Sequence, residues 1–419
     1  MVKQVVTAGI DIGSNQICCV AGICDESTGL IKVLSSMGMF CDGVKAGTVV
    51  NIQETAACMC KILEETEKTI NERIKNIVVA VRGNLIKSRH ATGVVNMENI
   101  DRREITQEIV GNALDNAKQQ IKLDPEQEIL QIVPLEYILN QQKGIHNPIG
   151  MEGTYIEVDV CTFLISSNNL RNLSKVFSTI GIHNVNKVYG YPAIGEVLIT
   201  KEEKELGCLL IDFGGLTIGL VHYVNGVIAH TDEILDGSDY ITRDIGYKLK
   251  TNYSIAREIK EMYGAAFVHH GFENKEFEYT ISDGTSSRIY DRFTLVNYVI
   301  MPRIDRILYK VKKVIEKNNY GDEVFSGGII LSGGGSNLHG LTEAFEKVFS
   351  CSVRVGTVGF NKFIVGPRDI LSNFAYTTAI GTLRYGFMNN HQQHESHKKK
   401  TSKKSKIVSK ISEWLEEIF

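Results

Sequence analysis

Two segments of the chain place an aspartate at the end of an apolar strand and follow it with glycine and small polar residues. Glycines let backbone N–H groups approach a phosphate closely, a hydroxyl adds a donor, and a carboxylate can hold a hydrated Mg²⁺. One such segment alone is better explained as an ordinary hairpin turn with a capping aspartate, so the inference depends on finding two. The candidate residues are Asp11, Gly13, Ser14, Asn15 and Gln16 in the first segment and Asp212, Gly214, Gly215, Leu216 and Thr217 in the second.

A third glycine loop, Gly333, Gly334, Gly335 and Ser336, follows another apolar strand and precedes a helical pattern. It is not a P-loop, because no Gly-Lys-Ser/Thr follows, and it is not a dinucleotide fingerprint, because Leu338 stands where the third glycine would fall. Three loops in this order resemble the phosphate 1, phosphate 2 and adenosine motifs of the actin, sugar-kinase and heat-shock-chaperone ATPase superfamily. The resemblance implies two homologous halves that bind ATP and Mg²⁺ in a shared cleft, with Asp11 and Asp212 holding the metal through water.

Composition is that of a globular protein with no general attraction to nucleic acid. The chain has 419 residues and a net charge of −3, which is enough length for several domains and gives no basic surplus. It lacks an apolar run of about eighteen residues, the length that a membrane-spanning helix needs. Nine cysteines are scattered without a Cys-x-x-Cys pair, which favours a reducing cytoplasm.

Within that superfamily the chain resembles the FtsA family of bacterial cell-division proteins along nearly its full length. Four features carry the resemblance: an insertion at 84–163, the patterns at 132–137 and 144–151 within it, the approach 205–208 to Asp212, and a basic linker before a terminal amphipathic segment. The resemblance implies an α/β fold of the actin-like two-domain ATPase type, with an inserted α+β subdomain (1C) and a C-terminal amphipathic helix.

The expected organisation follows from these features and from the hydrophobic periodicity of the chain. Small residues in 188–200 and 371–385 predict two helices that cross closely between the halves. The predicted units are 1–83 (part of subdomain 1A), 84–163 (1C), 164–200 (return to 1A and a hinge helix), 201–245 (part of 2A), 246–325 (2B), 326–360 (return to 2A), 361–388 (return to 1A and a second hinge helix), 389–404 (disordered basic linker) and 405–419 (membrane-targeting helix).

Departures from the family pattern bear on catalysis. Leu216 stands where a third glycine is usual, Gln16 where a lysine is frequent, and Arg257 where actin-like proteins often carry a ribose-binding glutamate. Lys260 is retained as a candidate nucleotide contact, although a solvated surface lysine is an equally good interpretation. We therefore expect ATP binding with weak or no hydrolysis, and the sequence identifies no catalytic residue.

The C-terminal segment is predicted to lie in the plane of an anionic membrane. At 100° per residue its apolar side chains fall within an arc of about 140°, beside a lysine-rich stretch without acids. Docking of the same helix on the protein itself or on a partner is the alternative. The predicted membrane contacts are Ile407, Val408, Ile411, Trp414, Leu415, Ile418 and Phe419, with Lys406 and Lys410.

The resemblance also implies a function and partners. It implies a protein that self-assembles and tethers filaments of the tubulin-like FtsZ to the inner face of the cytoplasmic membrane at the division septum. FtsZ would bind through its C-terminal peptide on subdomain 2B, and other division proteins would bind the insert. A small-molecule kinase of the same fold and an actin-like pilus-assembly protein are the alternatives, and neither needs the amphipathic tail.

Overall fold

A computed structural model describes residues 5–14, 16–25, 27–83, 86–97, 104–268, 272–318, 326–360 and 362–398. The first half and the insert contain β1 (Thr7–Ile12), β2 (Gln16–Cys24), β3 (Ile31–Phe40), β4 (Val44–Lys45), β5 (Thr48–Val49), α1 (Ile52–Ile70), β6 (Asn76–Val81), β7 (Lys87–Asn96), α2 (Gln107–Gln120), β8 (Gln127–Leu139), β9 (Gln142–Ile145), β10 (Tyr155–Ser166), α3 (Ser167–Thr179), β11 (Asn186–Tyr189) and α4 (Gly190–Leu198).

The second half begins with α5 (Lys201–Leu206), and the last helix returns to the first half. Its elements are β12 (Cys208–Phe213), β13 (Ile218–Val224), β14 (Val227–Ile234), α6 (Ser238–Leu249), α7 (Tyr253–Tyr263), β15 (Glu276–Thr280), β16 (Ser287–Asp291), α8 (Arg292–Leu295), α9 (Met301–Lys317), β17 (Ile329–Ser332), α10 (Leu341–Phe349), β18 (Val353–Val355), β19 (Ile364–Val365), α11 (Arg368–Leu371) and α12 (Thr377–Lys398). A π-helical turn, Val296–Ile300, joins α8 to α9, and Pro302 lies in the first turn of α9.

The two halves repeat one sheet topology. The first sheet has the order β11-β6-β1-β2-β3-β19 and the second has the order β14-β13-β12-β17-β18. In each, the strand with the aspartate pairs antiparallel with the next strand of the chain and parallel with a later one, β1 with β6 and β12 with β17. The predicted two-half α/β architecture is therefore confirmed.

The segment between β6 and α3 forms a sheet of its own, in the order β7-β10-β8-β9. Helix α2 packs on this sheet, and the side chains between them include Met97, Ile105 and Val158, each fully buried. Strand β10 then continues into the first half, where the Phe163 ring lies 4.6 Å from that of Tyr189. The insert therefore has its own core but is anchored through β10.

Helices α4 and α12 cross in close contact where the sequence predicts it. A Cβ atom added at Gly381 would lie 2.6 Å from the carbonyl carbon of Ala193, closer than side-chain atoms normally approach backbone. A Cβ added at Gly9 would likewise lie 2.5 Å from the backbone nitrogen of Leu383. Glycine at these places lets α12 lie directly against both α4 and β1.

The last helix differs from the prediction at both ends. Ala375 lies in a separate 3-10 turn, Phe374–Tyr376, and α12 begins only at Thr377. It then continues through Lys398, where the sequence predicts a disordered linker from residue 389. Residues 389–398 contain neither proline nor glycine, so nothing in their backbone interrupts a helix already started. The predicted membrane helix, 405–419, lies outside the described residues, and none of the described helices is long and apolar enough to cross a bilayer.

Candidate nucleotide-binding site

Strand register brings the three glycine loops to one edge of the molecule, between its halves. Asp11 on β1 is opposite Ala80 on β6, and Asp212 on β12 is opposite Ser332 on β17. Since the carboxyl ends of parallel strands share a sheet edge, all three loops emerge together. The first two loops touch, because the Leu216 N–H donates to Ser14 Oγ at 2.9 Å.

The third loop lies against the second. Gly333 has φ +82°, and a Cβ added there would stand 2.9 Å from Asp212 Oδ1. The Phe213 ring occupies the space beside Gly335, since a Cβ added at Gly335 would be 2.8 Å from Phe213 Cε1. Gly334 differs from both neighbours, because an added Cβ meets no atom within 4 Å. The loop is therefore closely packed at Gly333 and Gly335, whereas Gly334 between them faces open space.

Arg82, which the sequence did not single out, lies between the two aspartates. Its Nε donates to Asp11 Oδ1 at 2.9 Å, its Nη2 donates to Asp11 Oδ2, and its Nη1 donates to Asp212 Oδ2 at 2.8 Å. The side chain is only 11% exposed. Burial alone would lower the pKa of Arg82, but the charges of Asp11 and Asp212 outweigh it and raise that pKa. The guanidinium thus stays charged and links the two halves.

Arg82 compensates the negative charge of both buried aspartates. Burial raises the pKa of Asp212, a shift opposed by the charge of Arg82 and reinforced by that of Asp11. Removing one member of such a buried group typically costs about 3–5 kcal/mol, because the partner charge is left uncompensated. Arg82 therefore stabilises the cleft as well as filling its centre.

A second polar group, also missed from the sequence, lies behind the phosphate 2 loop. Tyr191 on α4 donates its hydroxyl to Glu233 on β14, and its Oη lies 3.5 Å from Thr217 Oγ1. Burial raises the pKa of Glu233, and the hydrogen bond from Tyr191 partly opposes this shift. The Tyr191 ring explains Gly219, because a Cβ there would be 2.5 Å from ring atom Cδ1. The Thr217 hydroxyl therefore faces Tyr191 rather than the open cleft.

The remaining predicted contacts are distributed around this centre. Lys260 on α7 donates to the Ser238 carbonyl at 3.2 Å, and burial lowers its pKa while Asp239 opposes that shift. It is therefore no freely solvated surface lysine. The Gln16 amide lies 3.2 Å from Cys18 Sγ, on its own strand. Asn15 lies outside the described residues.

These residues fit a nucleotide better than they fit the predicted metal. Backbone donors at two loops, the open surface at Gly334 and the charge of Lys260 are the groups that phosphates and an adenosine need. A hydrated Mg²⁺ held by Asp11 and Asp212 would need the space between their carboxylates, and the Arg82 guanidinium fills that space. Among the described residues no group of three or more His, Cys, Asp or Glu side chains offers another metal site.

The repeated sheets, their paired aspartate hairpins and the cleft between them define an actin-like protein. Comparison with known proteins narrows this class. The chain belongs to the FtsA family of cell-division proteins: the model for "Cell division protein FtsA" matches residues 209–381, and the model for "SHS2 domain inserted in FTSA" matches residues 83–163. FtsA of Neisseria meningitidis serogroup B is 30% identical over 375 residues, which cover 89% of this chain and 88% of that relative.

Solved structures agree on the fold at low sequence identity. A chain of a PilM-PilN type IV pilus biogenesis complex has a TM-score of 0.63 at 14% identity, covering 91% of this chain and 98% of that one. MreB5 of Spiroplasma citri bound to ADP has a TM-score of 0.54 at 11% identity, covering 93% and 98%. Membership of the FtsA family favours the cell-division role over the kinase and pilus-assembly alternatives.

Proposed function

We propose that the chain binds ATP between its two halves and uses it to control self-assembly into a polymer. The observation that carries this proposal is the convergence of the three loops at one cleft edge. The Leu216 N–H donates to Ser14 Oγ in this structure. When a phosphate enters and the loops separate, the same N–H becomes a donor to that phosphate. Adenosine would lie over Gly334, where an added Cβ meets no atom within 4 Å.

Hydrolysis is expected to be slow. A γ-phosphate is cleaved when a positioned group orients water and cations neutralise the leaving charge. Glu233, one of the acids near the loops, is engaged by Tyr191 and held behind them. Steady-state phosphate release should therefore fall far below the enzyme median of about 10 per second.

The decisive variant for ATP binding is Gly334→Val. A Cβ added at Gly334 meets no atom within 4 Å, so the fold should be retained while the valine side chain occupies the adenosine position and ATP binding is lost. Gly359→Val is the matched control, because Gly359 also has open space around it and lies outside the three loops. Equal ATP affinity in both variants, measured by calorimetry, would refute the assignment of the cleft.

We further propose that the protein tethers FtsZ filaments to the inner face of the cytoplasmic membrane at the septum. Family membership supports the division role, and the segment 246–325 offers exposed aromatic side chains suited to a docked peptide. Tyr247 is 90% exposed, Tyr298 70% and Tyr309 60%. Aromatic residues are enriched at protein interfaces, and the resemblance to the FtsA family makes the C-terminal peptide of FtsZ the expected occupant. Other division proteins would bind the insert.

The membrane contact is assigned to residues 405–419. Each lysine near an anionic surface contributes about 1 kcal/mol, and ordering the segment costs roughly 1 kcal/mol or more per residue. A single tail should therefore bind weakly, and several tails on one polymer should bind together through avidity. This arrangement couples ATP-dependent assembly to membrane attachment.

Co-sedimentation with anionic liposomes tests the tail. Trp414→Glu should leave the protein in the supernatant, because it places a charge in the apolar arc. Ser412→Glu adds the same charge on the polar side and should leave most of the binding intact. ATP binding should survive both changes. Wild-type protein that stays in the supernatant at low salt with ATP would contradict the tether.

A further inference from the structure

We propose that Arg82 takes the place of Mg²⁺ in this cleft, so that ATP binds without a divalent cation. The inference rests on the proposed binding of ATP. It concerns which cation compensates the negative charges of Asp11 and Asp212 at that site. It differs from the interpretation of Asp11 and Asp212 as metal ligands, because the structure already provides these carboxylates with a cation.

The geometry of the guanidinium supports this role. Arginine has five N–H donors in a planar fork that suits carboxylates and phosphates. Arg82 uses one donor on each of its three nitrogens for the two aspartates, two toward Asp11 and one toward Asp212. The two remaining N–H groups, one on each terminal nitrogen, can serve a phosphate. One side chain can therefore bridge both carboxylates and a nucleotide, as a metal would.

Packing holds Arg82 in this position. It follows directly after β6, and its guanidinium carbon lies 5.8 Å from the centre of the Tyr191 ring. Gly190 makes room for its stem, since a Cβ there would stand 3.0 Å from Arg82 Cγ. An ion entering between the aspartates would have to break three hydrogen bonds and move a charged side chain that is only 11% exposed.

The exchange of a metal for a guanidinium also changes what the site does. A bound Mg²⁺ would supply Lewis-acid chemistry to the phosphates, whereas a guanidinium only donates hydrogen bonds. Arg82 can compensate the two carboxylates and hold phosphates, but it cannot coordinate a reacting oxygen. ATP is then a retained ligand that sets the conformation of the cleft.

The test compares ATP affinity of the full chain in Mg²⁺ and in EDTA, by calorimetry. Wild type should bind with nearly the same Kd in both. Arg82→Ser leaves two buried carboxylates together, so its Kd in EDTA should rise by about tenfold or more and Mg²⁺ should restore it. Arg82→Lys keeps a charge and should be less affected. Arg354→Ser removes an arginine paired with Glu203 outside the cleft and should keep the wild-type ratio.

A second measurement needs no nucleotide. Mg²⁺ alone should leave the thermal midpoint of wild type unchanged and should raise that of Arg82→Ser, because only the variant has a vacant acidic pair to bind the ion. If Arg82→Ser does not fold, the wild-type measurements decide. Wild type that binds ATP only with Mg²⁺ overturns this inference and leaves the ATP-binding proposal standing. Wild type that binds ATP in neither condition refutes both.

Discussion

Gly381→Ala tests the close crossing of α4 and α12. A Cβ at this position would stand 2.6 Å from the carbonyl carbon of Ala193 and closer still to its oxygen, and ordinary contact begins at 3.4 Å, so the helices must separate by at least about 0.8 Å. The obstructing atoms are backbone and cannot change rotamer. Overpacking of this kind costs about 1–3 kcal/mol, and alanine returns up to about 1 kcal/mol in helix propensity. We expect a net loss of about 1–2 kcal/mol, seen as a lower urea midpoint.

Gly111→Ala is the matched control for this substitution. Gly111 also lies inside a helix, α2, but an added Cβ there meets no atom within 4 Å. The same chemical change should therefore stabilise the protein by about 0.5–1 kcal/mol, from propensity alone. Opposite signs for the two variants support the crossing. Equal stabilisation by both would show that α4 and α12 do not meet at Gly381, and the reasoning would fail.

Two further predictions concern pH and ion pairing. Burial, with a smaller contribution from His230, lowers the pKa of His222 from 6.5 to about 4. The unfolded chain therefore binds more protons in this range, stability should fall as pH drops from 6.5 to 4, and urea midpoints of His222→Gln should show a flatter decline. Burial tends to raise the pKa of Glu203, but hydrogen bonds from Arg354 and from the Thr200 backbone lower it below 4.5, so their contribution is lost as pH falls below that value. Arg354→Ala should cost about 1 kcal/mol at neutral pH and less in acid, as Glu203 becomes protonated, which paired denaturation curves would detect.

The sequence predicted what depends on local pattern. Glycine loops after apolar strands predicted the three segments that the structure brings together, and small residues predicted the contact of α4 with α12. These features were accessible because each requires a residue type that tolerates close approach or unusual backbone conformation. Asp11 and Asp212 were predicted to face a shared cleft because each ends an apolar strand just before such a loop.

The sequence did not predict what depends on contacts across the fold. Arg82 follows a buried strand parallel to β1, and this position at a sheet edge was the available signal. Its bond to Asp212 on β12, in the other half, could not be inferred without the pairing of the halves. The start of α12 was missed because Ala375 has high helix propensity, whereas Asn373 caps a separate 3-10 turn there. The 3-10 turn capped by Asn373 therefore prevails over the helix propensity of Ala375.

The two halves share one sheet topology but differ in the residue at one pair of equivalent positions. Arg82 lies two residues beyond Ala80, the partner of Asp11, and Gly334 lies two residues beyond Ser332, the partner of Asp212. The two are therefore equivalent positions in the two copies. In the first half Arg82 fills this position with its guanidinium. In the second half Gly334 leaves the equivalent position open. The duplicated sheets thus offer one open position, at Gly334, for the proposed nucleotide.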